Sequence, residues 1–270
     1  MRPSPVCRRF RTHGFPPWRI AFLTKETAET LYLLGQQDRI VGVTGYAVRP
    51  KGVRQEKPRV GAFTSADVPK IMALDPDLVL TFSDLQADIA AELIRHGIAV
   101  VAYNQRSVAG ILAMIRSLGA LTGAPEAGEA LAAGYEARLT EVETNAMGRA
   151  KPLVYFEEWD DPIISGIAWV SELIEIAGGK EAFPELPPHQ AAKDRILRPD
   201  QVIARKPEVI IASWCGKKVR PEKIAARTGW EVIPAVRDGR IHEIKSPLIL
   251  QPGPAALTDG LDAIVAALHG

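Results

Sequence analysis

The sequence predicts an α/β protein with two Rossmann-like lobes, each built on a central parallel sheet. One long α-helix joins the lobes, and a ligand cleft lies between them. Strand and helix patterns alternate over the first and last parts of the chain, as in parallel βαβ units. A strand-free helical stretch separates these parts. The parts also repeat one another, because ALDPDLVLTF at 73–82 aligns with ARKPEVIIAS at 204–213.

The N-terminal lobe is predicted over residues 18–105. Its strands are apolar runs of the kind that parallel sheets bury on both faces. Its helices show helical spacing and end at a glycine or a proline. The predicted strands lie at 18–24, 39–46, 77–82 and 99–104. The predicted helices lie at 25–35, 67–76 and 84–96.

A helical segment is predicted over residues 106–150. Apolar residues recur at helical spacing over 107–122, and residues 126–147 form a second helix rich in Ala, Glu and Leu. At about 1.5 Å per residue the second helix is about 33 Å long, which is the span of a small domain. We expect it to connect the two lobes.

The C-terminal lobe is predicted over residues 151–270, where the alternation of strands and helices resumes. Its predicted strands lie at 152–156, 208–214, 230–235 and 240–244. Its predicted helices lie at 169–179, 198–207, 221–227 and 253–268.

An acidic stretch follows the first strand of the C-terminal lobe. The run LVYF is followed at once by Glu157, Glu158, Trp159, Asp160 and Asp161. We interpret this stretch as a loop at the carboxyl end of a parallel strand, which is where such folds bind ligands. Because neighbouring carboxylates repel one another, a cationic partner is expected nearby. The candidates for that partner are Lys193, Arg195, Lys217 and Lys245.

Composition narrows the class of function. The net charge of +1 over 270 residues gives no global field that would attract nucleic acid or anionic lipid. No run of about 18 apolar residues is present, so no membrane-spanning helix is expected. Residues 1–17 are basic and proline-rich, and we predict a flexible arm without a secretory signal, which indicates a cytoplasmic protein. The two cysteines, Cys7 and Cys215, predict no structural disulfide.

The sequence favours a binding protein over an enzyme. It contains no recognisable nucleophile–base pair, no glycine-rich phosphate loop and no metal-binding motif, so neither a catalytic cofactor nor a metal site is expected. The alternative is a two-lobed α/β enzyme, such as a glycosyltransferase, whose acidic stretch would hold a general base or a divalent metal. Cys215, His189 and His242 are either metal-contacting side chains or ordinary loop residues.

Four stretches carry a resemblance to a known family. They are ETAETLYLLGQQDRIVGVTGY (26–46), RVGAFTSADVPKIMALDPDLVLTF (59–82), ELIEIAGG (172–179) and RPDQVIARKPEVIIAS (198–213). They resemble the class III periplasmic substrate-binding proteins of ABC importers, above all those that bind vitamin B12 (cobalamin). The resemblance implies a monomer that binds a corrinoid between two lobes, delivers it to an ABC permease and resides in the periplasm. A related corrinoid carrier on the same scaffold, in the cytoplasm, is the alternative. Relatives that bind siderophores or haem provide the alternative within the same fold.

The resemblance also implies which residues bind the ligand. Tyr46 corresponds to a tyrosine that contacts the corrin ring, and Phe63 and Phe82 stand where the family often has tryptophan. The full expected set is Tyr46, Phe63, Phe82, Glu157, Glu158, Trp159, Asp160, Trp214, Cys215, His242 and Lys245. Anionic siderophores would favour an arginine-lined site, which the four carboxylates oppose.

Docking onto a permease is expected to use acidic residues on a short helix of each lobe. The family usually has a glutamate at these positions. Here Pro69 occupies the first position, with Asp67 close by, and Asp200 occupies the second. We therefore assign Asp67 and Asp200 to docking.

Overall fold

The computed structural model describes residues 15–270. The expectations for Cys7 and for the first fourteen residues of the N-terminal arm lie outside the described residues. The chain forms two compact units. Unit one runs to Asn104 and includes Ala113–Ala132, and unit two comprises Gln105–Leu112 and Ala133–Gly270. Each unit contains one five-stranded sheet with flanking helices, which confirms the predicted α/β fold class.

The sheet of unit one is entirely parallel, in the order β3-β2-β1-β4-β5. Its strands are β1 (Ile20–Phe22), β2 (Ile40–Thr44), β3 (Arg59–Gly61), β4 (Leu78–Phe82) and β5 (Ala99–Tyr103). Its helices are α1 (Glu26–Leu33), α2 (Val53–Glu56), α3 (Val68–Ala73) and α4 (Ala87–Arg95). The strands β1 and β4 are buried along their whole length, as their continuous apolar runs predict. The short elements α2 and β3 were not predicted.

Two helices follow, α5 (Val108–Leu121) and α6 (Pro125–Ala146). They confirm the helices predicted over 107–122 and 126–147, and the 22 residues of α6 give it a length of about 33 Å. The divisions between the two units fall within α5 and within α6. The two helices approach closely at Gly119 and Gly128, where a Cβ added to Gly119 would lie 2.8 Å from the Gly128 Cα. Glycine is therefore needed at this crossing.

The sheet of unit two has the order β10-β9-β6-β7, and β8 also pairs with β6. Its strands are β6 (Leu153–Asp160), β7 (Ile163–Ser165), β8 (Lys180–Glu181), β9 (Val209–Ala212) and β10 (Ile241–Glu243). The pairing of β6 with β7 is antiparallel and the other pairings are parallel. Its helices are α7 (Ala168–Ile176), α8 (Pro199–Arg205), α9 (Pro221–Ala225), α10 (Pro234–Arg237), α11 (Ser246–Ile249) and α12 (Leu261–His269).

Two predictions for unit two were wrong. The predicted strand at 230–235 is a 3-10 helix at Trp230–Val232 followed by α10. Its apolar residues Trp230 and Ile233 are buried in the core, and Pro234 lies in the first turn of α10, where its missing N–H costs nothing. The acidic stretch is not a loop, because β6 continues through it to Asp160 and returns as the hairpin strand β7.

Candidate ligand-binding site

A buried glutamine holds together three loops at one edge of the unit-one sheet. The loops that follow β1, β3 and β4 share this edge because parallel strands end there together. The Gln86 side chain donates to the carbonyls of Leu23 (3.2 Å) and Phe63 (2.8 Å) and accepts from the Phe82 N–H (2.9 Å). Gln86 is therefore a positioning residue, and the sequence offered no signal for it.

The three predicted aromatic contacts of unit one differ in exposure. Tyr46 is 53% exposed and Phe63 is 42% exposed, so both rings offer a face to a bound molecule. Phe82, at the end of β4, is 7% exposed. The Lys25 ammonium lies 5.7 Å from the centre of the Tyr46 ring, which places a cation beside that ring.

Glu26 is a buried acid in the first turn of α1, at the same edge of the sheet. Its Oε2 accepts from the Lys25 backbone N–H at 3.1 Å, and within residues 15–270 its Oε1 has no hydrogen-bond partner. Burial raises the pKa of this carboxyl, against the lowering effect of backbone hydrogen bonds and the Lys25 charge.

In unit two, Glu157 is the centre of a buried polar network. The side chain is fully buried, and each carboxylate oxygen accepts two hydrogen bonds. Arg227 donates to both oxygens, through Nη1 to Oε2 at 2.5 Å and through Nη2 to Oε1 at 2.9 Å. The Tyr155 hydroxyl adds a bond to Oε2 at 3.1 Å, and the Trp214 indole adds one to Oε1 at 3.2 Å. The charge is thus satisfied without water or ligand.

The Glu157 network changes the acidity of its members. Burial would lower the pKa of the Arg227 guanidinium, but the hydrogen bonds and the charge of Glu157 outweigh burial and raise it. Burial, reinforced by the charge of Glu157, raises the pKa of Tyr155 well above its usual value. Arg227 therefore stays cationic and Tyr155 stays a neutral donor.

A bulge in β6 separates the next two side chains. Two steps along β6, from Glu157 to Trp159, match a single step along β7. Glu158 lies in this bulge and accepts a bond from Arg195 Nη1 at 2.6 Å. The Arg195 side chain is itself buried and also donates to the Ser165 carbonyl, which ties the 3-10 helix Ala192–Arg195 to the hairpin.

At the end of β6, a lysine lies between a carboxylate and two tryptophans. Lys217 Nζ is 2.7 Å and 2.6 Å from the two carboxylate oxygens of Asp160. The same ammonium lies 5.2 Å from the Trp159 ring centre and 4.9 Å from the Trp214 ring centre, which is the range of cation–π attraction. Trp159 is partly exposed and Trp214 is buried.

The prediction of nearby cations is confirmed for Arg195 and Lys217. Over the described part of the chain, Lys193 and Lys245 form no ion pair. The sequence reading missed Arg227, which lies seventy residues from Glu157 in the chain. Three carboxylates of the acidic stretch are thus neutralised, each by its own cation.

The other predicted residues of unit two lie at or near the carboxyl ends of β9 and β10. Cys215 and Lys245 are exposed in the loops that follow these strands. His242 lies within β10 and is half-buried, and burial followed by the charge of Arg240 lowers its pKa. Across residues 15–270, no three His, Cys, Asp or Glu side chains group as metal ligands.

Both predicted docking carboxylates are engaged within their own units. Asp67 caps α3 by accepting from the Lys70 N–H at 3.0 Å. Asp200, in the first turn of α8, forms a two-pronged pair with Arg198 (3.0 Å and 2.9 Å). No helix within the described residues combines the length and the apolarity needed to cross a bilayer.

Comparison with known proteins supplies a family. The profile of the family described as periplasmic binding protein matches residues 20–248. An uncharacterised ABC transporter substrate-binding lipoprotein of Bacillus subtilis is 25% identical, over 94% of this chain and 80% of its own length. A vitamin B12-binding protein of Vibrio campbellii is 27% identical, over 73% of this chain and 71% of its own.

Solved structures share the fold. The periplasmic haem-binding protein of Roseiflexus sp. superposes with a TM-score of 0.77 at 25% identity. The match covers 92% of this chain and 98% of the Roseiflexus chain. The two-lobed α/β architecture is therefore that of periplasmic binding proteins.

Proposed function

This chain belongs to the periplasmic binding protein family, and from that premise we propose that it binds a corrinoid such as cobalamin without catalysis. The observation that carries the proposal is the set of aromatic rings at the carboxyl edges of the two sheets. Tyr46 and Phe63 are exposed at one edge, and Trp159 is partly exposed at the other. A flat macrocycle with an apolar centre requires such rings. The vitamin B12-binding relative supports this choice of ligand.

The energetics of such a site are sufficient. Each aromatic side chain that a ligand covers contributes about 1.5–3 kcal/mol, and a nanomolar complex requires about 12 kcal/mol. Several rings together with hydrogen bonds to the amide rim of the macrocycle reach this range without covalent chemistry. Tyr46, Phe63 and Trp159 are the proposed aromatic contacts of the macrocycle.

Three residues of the expected set are buried, and we propose that they support the site without contacting the ligand. Glu157 and Trp214 are buried and joined by a hydrogen bond, and Phe82 is also buried. We propose that these three residues hold neighbouring residues in place and do not contact the ligand. The proposed contacts or rim residues of unit two are Glu158, Asp160, Cys215, His242 and Lys245. Glu157 and Trp214 act by fixing the strand end that carries Trp159.

A haem or a ferric siderophore is the second candidate, and one observation favours it. The sequence predicts that the acidic stretch opposes an anionic ligand, but Glu157, Glu158 and Asp160 are each neutralised by a cation. The structural relative from Roseiflexus is a haem-binding protein. An anionic macrocycle is therefore compatible with this site.

We propose an ABC permease as the protein partner, as for the lipoprotein relative of Bacillus subtilis. Such a partnership requires an extracytoplasmic location, in contrast to the cytoplasmic one expected from residues 1–17. Asp67 and Asp200 remain the proposed docking positions. Because Arg198 forms an ion pair with Asp200, docking at α8 would involve this pair rather than a lone carboxylate.

Titration of the purified protein with a panel of ligands tests the proposal. The panel contains cyanocobalamin, hydroxocobalamin, haem and a ferric siderophore, followed by calorimetry and by the visible spectrum. We expect sub-micromolar binding of the cobalamins. Tight binding of haem or the siderophore alone would select the second candidate, and binding of none would reject both. A separate assay for hydrolysis or transfer of a sugar nucleotide tests the enzyme alternative, which turnover would support.

A further inference from the structure

Three unpaired cations lie at the carboxyl edge of the unit-two sheet. We call Lys218, Arg220 and Lys245 the basic edge. Lys218 and Arg220 follow β9, and Lys245 follows β10, which is its parallel neighbour. All three side chains are exposed, and within residues 15–270 none has an ion-pair or hydrogen-bond partner.

Backbone contacts bring the two loops of the basic edge together. The Gly216 N–H donates to Ser246 Oγ at 3.5 Å, and the Val219 N–H donates to Glu243 Oε1 at 3.0 Å. Lys218 lies between these two donors in the chain, and Lys245 lies between the two acceptors. The two lysines are therefore carried by adjacent segments of one unit.

The carboxylates near the basic edge do not pair with its cations. Three other cations of unit two already form ion pairs, namely Lys217 with Asp160, Arg195 with Glu158 and Arg227 with Glu157. The carboxylates close to these cations in the fold or the chain that form no ion pair within residues 15–270 are Asp161, Glu222 and Glu243, and none of them pairs with a cation of the basic edge. The side-chain cations of the basic edge therefore have no partner of their own and are available to an anionic group of a ligand.

We propose that the basic edge binds an anionic oxygen group attached to the rim of the macrocycle. The inference rests on the proposed function and specifies its ligand as one that carries a phosphate or a carboxylate. Lysine suits either group, because an ammonium acts as a point charge with three donors. The two sources of this chemistry are the phosphodiester of a complete cobalamin and the propionates of haem.

Paired ligands that differ in the anionic group test the inference. Cyanocobalamin is compared with dicyanocobinamide, which lacks the phosphodiester-linked nucleotide, and haem is compared with its dimethyl ester. Each ligand is titrated into the wild type and into the double variant Lys218→Ala/Lys245→Ala. Lys180→Ala is the matched control, because Lys180 is exposed and pairs with Leu153 at the opposite end of the sheet.

We expect the double variant to bind the anionic member of one pair at least ten-fold more weakly, while its neutral counterpart changes less than two-fold. Ten-fold corresponds to about one charge-assisted hydrogen bond. The pair that shows the difference identifies the source of the anion. Equal binding by the double variant and the wild type, or equal losses for both members of a pair, would overturn the inference but leave the proposed function standing. A wild type that binds neither macrocycle would reject both.

Discussion

Arg227 and Glu157 form a buried, two-pronged ion pair, with both guanidinium Nη atoms on the two carboxylate oxygens at 2.5 Å and 2.9 Å. The pair joins the segment after α9 to the middle of β6. Arg227 also lies over the Trp230 ring, at 4.5 Å from its centre. The Arg227–Glu157 pair thus fixes the end of β6 that carries Trp159, although the two residues are far apart in the chain.

Removing the cation of this pair is expected to be costly. Arg227→Met leaves the Glu157 charge buried and unpaired, so we expect a loss of about 3–5 kcal/mol in the free energy of unfolding, measured with urea. The double variant Glu157→Gln/Arg227→Met also removes the unpaired Glu157 charge and should be more stable than Arg227→Met alone. Arg237→Met, at an exposed pair with Asp238, is the control. A double variant that is no more stable than Arg227→Met would contradict this account.

Lys217 is expected to affect fluorescence more than stability. Its ammonium lies near two indole rings, but the side chain is 45% exposed, so Lys217→Gln should cost less than about 1 kcal/mol. The same change removes a charge from both rings and should shift the tryptophan emission of the folded protein. The exposed Lys223→Gln on α9 provides the matched control. Identical emission spectra for the two variants would show that the ammonium does not occupy this position in solution.

Glu26 is expected to give a pH dependence of stability. Its folded-state pKa lies above 4.5, so the folded state binds more protons than the unfolded state as the pH rises from 4.5 towards the raised pKa. The stability of the wild type should therefore fall with rising pH relative to Glu26→Gln. Thermal unfolding of both proteins between pH 4 and 8 measures this difference, and the exposed Glu222→Gln is the matched control. Parallel profiles for the wild type and Glu26→Gln would disprove the assignment.

The sequence predicted most of the fold because its signals were local. The run Leu78–Phe82 is apolar throughout and became a strand buried on both faces, and the helical spacing of 126–147 became α6. The run at 230–235 is equally apolar, but Pro234 and the positive φ of Gly229 favour helical turns there. Burial alone does not distinguish a core turn from a core strand.

The candidate site was less accessible to sequence reasoning because its contacts are long-range. Four neighbouring carboxylates predicted a nearby cation, and Arg195 and Lys217 fulfil that role. The burial of Glu157 could not be predicted, because it depends on the continuation of β6 and on Arg227. The sequence alone therefore predicts that the acidic stretch opposes anionic ligands, whereas in the structure Glu157, Glu158 and Asp160 are each paired with a cation.

The most direct test of the aromatic-wall account is calorimetric titration of the wild type, Tyr46→Ala and Trp159→Ala with cyanocobalamin. Trp18→Ala, at an exposed tryptophan elsewhere in unit one, is the control. Loss of about 1.5–3 kcal/mol per ring predicts binding about 10- to 200-fold weaker for each site variant, and unchanged binding for the control. Folded Tyr46→Ala and Trp159→Ala proteins that bind cyanocobalamin as tightly as the wild type would contradict the account.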